Sequence, residues 1–177
     1  MNQPSPCGQP RRFLPSVLRG RAQARARIAG SRDYPSISGM VRLYQTAKGV
    51  VVYAEINGLP KADARCSERV FGFHIHEGSD CNGDMNDPFA DVMSHYNPSD
   101  CGHPHHAGDL PPLFGNDGSA LCAFLTNRFS VDEVIGRTVI IHNRPDDFTT
   151  QPSGSSGTKI ACGVIRRESG SCRGQIP

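Results

Sequence analysis

Residues 69–81 read RVFGFHIHEGSDC. In a β-strand, residues two apart share a face. Phe71, Phe73 and Ile75 are therefore expected to point into a core. His74 and His76 are expected to point the other way, toward the loop that begins at Glu77. A stiff strand would hold the two imidazoles as a two-nitrogen chelate. An HxH pair on one strand is a weak signal alone, because histidine pairs also occur on ordinary strands. Its weight depends on what other ligands the chain brings to the same face.

The same two-residue period runs outward from this stretch. Ala24, Ala26 and Ile28 alternate with Arg25 and Arg27, and Val41 and Leu43 with Arg42 and Tyr44. Val50–Ile56 is apolar, rich in β-branched residues, and ends at Asn57-Gly58. Ala120–Leu125, Arg137–His142 and Ile160–Ile165 repeat the pattern. Such runs, bounded by Gly, Pro and Asn, read as half-buried strands. No long window carries a 3.6-residue period. The chain is expected to be all-β, an antiparallel sandwich or barrel. Two long segments, residues 77–117 and 143–158, interrupt the strands, and each follows a strand that ends in histidine. Long loops without structure of their own are usually functional.

At 177 residues the chain suits one domain with a sizeable core. We expect that domain over residues 23–166, between a basic, unfolded extension (1–22) and a frayed tail (167–177). Net charge is +2, but residues 1–32 hold seven arginines and no acid. The remainder holds 12 Lys+Arg against 17 Asp+Glu. An acidic body with a basic tail argues against a nucleic-acid-binding domain. No run approaches 18 apolar residues, so no membrane span is expected. No secretory signal is visible, which points to the cytoplasm, with an exported or organelle-targeted protein as the alternative. Seven cysteines, an odd number, leave at least one unpaired within a chain.

All seven histidines fall between residues 74 and 142. His103, His106 and Asp109 form an HxxHxxD run, and two neutral imidazoles with a carboxylate suit zinc. His74, His76 and His142 fit a second metal. His95 lies between the two groups in the chain, and an imidazolate can bind a metal through each nitrogen, which makes it the natural bridge. His105 is left over and is expected to be an exposed loop residue.

FHIHEGSDC (73–81), HYNP (95–98), HxxHAGDLP (103–111), IGRTVIIH (135–142), DDF (146–148) and SGSSGTKIACGVI (153–165) together resemble the copper/zinc superoxide dismutases, in particular the bacterial branch with shortened loops. The resemblance runs from about Ala24 to Ile165. It implies a flattened eight-stranded Greek-key β-barrel with two long functional loops. It also implies copper held by His74, His76, His95 and His142, and zinc held by His95, His103, His106 and Asp109. By the same resemblance, Asp146 accepts hydrogen bonds from His74 and His103, and Cys81 pairs with Cys162 in a disulfide. The implied activity is disproportionation of superoxide to oxygen and hydrogen peroxide by Cu(II)/Cu(I) cycling, with His95 passing a proton and a homodimer as a possible assembly. The alternative is a copper carrier or store of the same fold without useful turnover. A zinc hydrolase would need a positioned base, for which Glu77 is the candidate.

Two positions depart from the family pattern. Lys159 stands where the family usually has an arginine that guides the anion; lysine keeps the charge but loses the planar fork. Met93 stands where glycine is common, which bears on the path of the loop before His95. Cys66 and Cys101 could bridge or stay free, and Cys122 is expected to be a buried small residue.

Overall fold

The computed structural model describes residues 13–62 and 69–169. Among them, nine strand segments alternate with loops: β1 (Ala24–Gly30), β2 (Ser38–Thr46), β3 (Gly49–Asn57), β4 (Val70–Phe71), β5 (Phe73–His76), β6 (Leu113–Phe114), β7 (Ser119–Thr126), β8 (Thr138–His142) and β9 (Lys159–Arg167). A seven-stranded antiparallel sheet runs β5-β8-β9-β1-β2-β3-β7, and β4 pairs with β6. β4 and β5 are a single run of sequence broken at Gly72. There the Gly72 N–H donates to the Arg144 carbonyl (2.7 Å) and its carbonyl accepts from the His142 N–H (2.8 Å). Strands change sheets at such bends. Counted as one strand, β4–β5 gives the eight strands expected, curled into a Greek-key barrel.

The core follows from the alternation. β1 shows strictly alternating burial from Ala24 to Ala29, and Ile28, Val41, Leu43, Val52, Ile56, Phe71, Phe73, Ile75, Val139 and Ile141 meet in one cluster. Phe71 and Phe73 have no exposed surface; burying each such side chain is worth about 1.5–3 kcal/mol. The face of β8 opposite Val139 and Ile141 carries Ile140, which packs with Cys162, Phe89 and Val92 in a second cluster.

The ends differ in detail from the sequence-based expectation. Within the segment expected to be unfolded, residues Phe13–Leu18 form a short helix, α1. Leu14, Val17 and Leu18 recur at helical spacing, and they cover Ala22, Tyr44 and Val51. At the other end β9 runs to Arg167, and Glu168 is still tied by its N–H to the Gln23 carbonyl (2.8 Å) and by its carboxylate to Arg25 (3.2 Å). Cys122 is half-buried, and Cys101 is an exposed free thiol; Cys7, Cys66 and Cys172 lie outside the described residues.

Candidate metal centre

The site is built on the outer face of β5 and β8. His74 lies opposite Ile140 and His76 opposite Thr138 in the antiparallel register. His142 lies two residues beyond Ile140 on that face, just past an irregularity between Ile141 and His142. The long loop after β5 returns over this face. The Tyr96 N–H donates to the Ile75 carbonyl (2.8 Å) and the Ile75 N–H to the Gly108 carbonyl (2.9 Å). These bonds set His95 beside His76 and Asp109 beside His74. A side chain at Gly108 could not be accommodated, since its Cβ would fall 2.2 Å from the Ile75 oxygen.

Six histidines and one aspartate thus converge, each at most 7% exposed. They form two groups that share a member: His74, His76, His95 and His142, and His95, His103, His106 and Asp109. In each group the potential ligand atoms lie within 4.8 Å of one another. The outer ring nitrogens are anchored. His74 Nε2 and His103 Nε2 meet the two oxygens of Asp146 at 2.7 and 2.9 Å. His76 Nδ1 meets the Met93 carbonyl at 2.9 Å, and His142 Nδ1 the Gly157 carbonyl at 3.3 Å. Such outer partners fix tautomer and ring orientation.

The inner nitrogens have no hydrogen-bond partner: His74 Nδ1, His76 Nε2, His95 Nε2, His103 Nδ1, His106 Nδ1 and His142 Nε2 are all buried and unsatisfied. An unpaired buried polar group costs free energy, and six aimed at two points would be untenable without an occupant. Two cations, one in each group, would satisfy all six. Imidazole suits copper and zinc alike, and a histidine-carboxylate set suits zinc. Asp109 approaches His95 Nδ1, His103 Nδ1 and His106 Nδ1 at 2.7, 3.1 and 3.4 Å. His95 therefore turns Nδ1 to the second group and leaves Nε2 for the first.

The sequence model of the copper/zinc superoxide dismutase family matches residues 37–165. The chain belongs to this family. It is 31% identical over 145 residues to superoxide dismutase [Cu-Zn] 2 of Aquifex aeolicus, covering 73% of this chain and 80% of that one. It is 34% identical over 140 residues to superoxide dismutase [Cu-Zn] of Legionella pneumophila, covering 75% and 80%. In three dimensions it resembles the Cu/Zn superoxide dismutase from Brucella abortus with a TM-score of 0.67, at 23% identity, over 80% of this chain and 98% of that one. As a copper/zinc superoxide dismutase it is an oxidoreductase whose substrate is superoxide and whose cofactors are copper and zinc. No helix among the described residues is long and apolar enough to cross a membrane.

Burial keeps the first group of this dismutase ready for metal. It lowers the pKa of His74 and pushes that of His76 well below the ordinary value. For His142, burial with the neighbouring His74 takes it from 6.5 to about 3. These rings are neutral at neutral pH, with lone pairs available. Burial alone would raise the Asp146 pKa, but hydrogen bonds from His74, the Phe148 N–H and His103 overcome it and bring it to about 2. Because the folded value of His142 is depressed, the unfolded chain binds protons that the folded chain refuses between pH 6.5 and about 3. The metal-free protein should hold the full contribution above pH 6.5 and lose it as pH falls toward 3. Thermal midpoints of metal-free protein from pH 8 to 4 should fall, most steeply below 6.5; a flat profile would contradict this account.

Several residues of the site had no signal in the local sequence. Arg128 Nη1 donates to the carbonyls of Pro104, His106 and Asp109 at 3.1–3.2 Å, clamping the loop that carries the second group. The Gln151 amide pairs with both backbone groups of His103 (2.6 and 3.0 Å). Gly154, with φ +67°, lies so close to Asp146 that a Cβ would fall 2.0 Å from Oδ1. Met93 does adopt a backbone conformation suited to glycine, φ 62° and ψ −149°. That conformation turns its carbonyl toward His76 Nδ1. Cys81 and Cys162 form a disulfide, and His105 is exposed.

Proposed function

We propose that His74, His76, His95 and His142 hold the copper of this dismutase, and that His95, His103, His106 and Asp109 hold its zinc. The observation that carries this assignment is the shared imidazole: His95 Nδ1 lies 2.7 Å from Asp109, while its Nε2 is a buried, unsatisfied atom in the other group. Copper, cycling between Cu(II) and Cu(I), supplies the electron transfers by which two superoxide ions and two protons become one dioxygen and one hydrogen peroxide. The protein's own groups do the rest. Asp146 holds His74 and His103 in one orientation, so both groups stay in register. The Nδ1 side of His95 stays with the zinc group, which leaves Nε2 to take up a proton and hand it to the departing peroxide. Lys159 faces the open side of the copper group, opposite His142 in the β8–β9 ladder, and is the cation that draws in the anion.

The Cys81–Cys162 bridge supports the exported reading over the cytoplasmic one, because disulfides persist in oxidising compartments. The decisive experiment is superoxide removal by protein loaded with both metals, beside a zinc-only sample and with metal content measured. Fast removal that requires copper is expected. Copper bound at one per chain without removal would overturn the catalytic mechanism and favour a carrier of the same fold.

A further inference from the structure

Above the copper group lies an open cleft of about 610 Å³, lined among others by His76, His95, His142, Glu77, Asp100 and Lys159. Among the described residues that line it, Lys159 is the only lysine or arginine, against the carboxylates of Glu77 and Asp100. An anionic substrate must enter here, yet the one fixed cation is already paired. Lys159 Nζ donates to Asp87 Oδ2 at 2.5 Å and to the Phe89 carbonyl at 2.9 Å. Asp87 reaches it from the loop that the disulfide ties to β9.

The Asp87 carboxylate is held independently of the lysine, since its Oδ1 accepts from the Phe89 N–H at 3.1 Å. The ammonium would likewise keep the Phe89 carbonyl if the carboxylate charge were removed. The lysine side chain is 17% exposed and the aspartate 40%, so water screens the pair only in part. A carboxylate this close cancels much of the field that the ammonium sends into the cleft.

We propose that Asp87 is a built-in counter-ion that mutes the pull of Lys159 on anions entering the copper site. This rests on the assignment of Lys159 as the anion-attracting group. Asp87 is a positioning residue that acts through Lys159 and sets how strongly, and with what salt dependence, the site attracts its substrate.

The test uses the copper- and zinc-loaded protein with azide as the anion, followed by the visible absorption of the copper. Asp87→Asn keeps the Oδ1 acceptor and removes the charge. It should tighten azide binding roughly threefold or more at low ionic strength, with the gain fading above about 0.5 M salt. The dismutation rate should rise with a steeper salt dependence. In a Lys159→Gln background the same change should give a clearly smaller gain, the part that comes from lifting the carboxylate's own repulsion of the anion. Unchanged or weaker azide binding by Asp87→Asn would overturn the counter-ion proposal, as would a gain just as large without Lys159, which would show that the carboxylate acts on the anion directly and not through the lysine. If Lys159→Gln alone leaves azide affinity unchanged, the assignment of Lys159 itself fails, a separate result.

Discussion

Replacing His95 with alanine should lower superoxide removal by at least about 100-fold while leaving the barrel folded. Loss of a partner that only orients a ligand already costs about 10- to 100-fold in metal affinity or activity. His95 is placed to be a ligand of both groups, so its removal takes one donor from each. The copper group would keep three imidazoles and the zinc group two with a carboxylate. The Nε2 proposed to carry the proton would go with the ring. The side chain is not part of the main hydrophobic cluster, and the neighbouring loop is held by backbone bonds between Tyr96, Ile75 and Gly108. The measurements are stopped-flow superoxide decay, zinc and copper content, and far-UV circular dichroism. Lower zinc retention with an unchanged circular dichroism spectrum is expected. A variant that keeps more than a tenth of the wild-type rate with full zinc would show that the shared imidazole does not join the two groups.

The second large effect concerns stability. Cys81 and Cys162 are 81 residues apart. In the chain-entropy account, closing a loop of that length stabilises the fold by about 4 to 5 kcal/mol. Cys162 also packs with Ile140, Phe89 and Val92, so the bond fastens the first long loop to β9 beside the site. A Cys81→Ser, Cys162→Ser variant should lose stability of that order in urea unfolding of metal-free protein. The wild type under strong reductant should lose a similar amount. A loss below about 1 kcal/mol in both samples would mean that the loop is held by its other contacts alone.

The two-residue alternation at Phe71–His76 carried the fold class and the division between core and metal face, because strand periodicity is a local property. It also placed the other long strands, from Ala24 to Ile165. The metal-ligating residues were legible for a different reason. Histidine is uncommon enough that its confinement to one span, with HxH and HxxHxxD spacings, marks a metal site before any folding. The motif set then supplied the family and the roles proposed for individual residues.

What was not legible depended on where long loops land. Nothing near Lys159 foretells that Asp87, 72 positions earlier in the chain, reaches its ammonium. Nor does anything near Arg128 foretell its hold on Pro104, His106 and Asp109. Which nitrogen of each ring turns inward was equally hidden, because it follows from the partner of the opposite nitrogen: Asp146, Met93 or Gly157. The helical turn at Phe13–Leu18 arose because Ala22, Tyr44 and Val51 offered its apolar face a place to pack. By itself the sequence determined the strands, the buried face and the set of candidate ligands, since all three follow from residue type and spacing along the chain. Only the tertiary structure decided which nitrogen of each ring turns inward and which charge sits against Lys159. Those depend on loop closure over a completed barrel, where contacts between distant residues are made or refused by distances of an ångström or less.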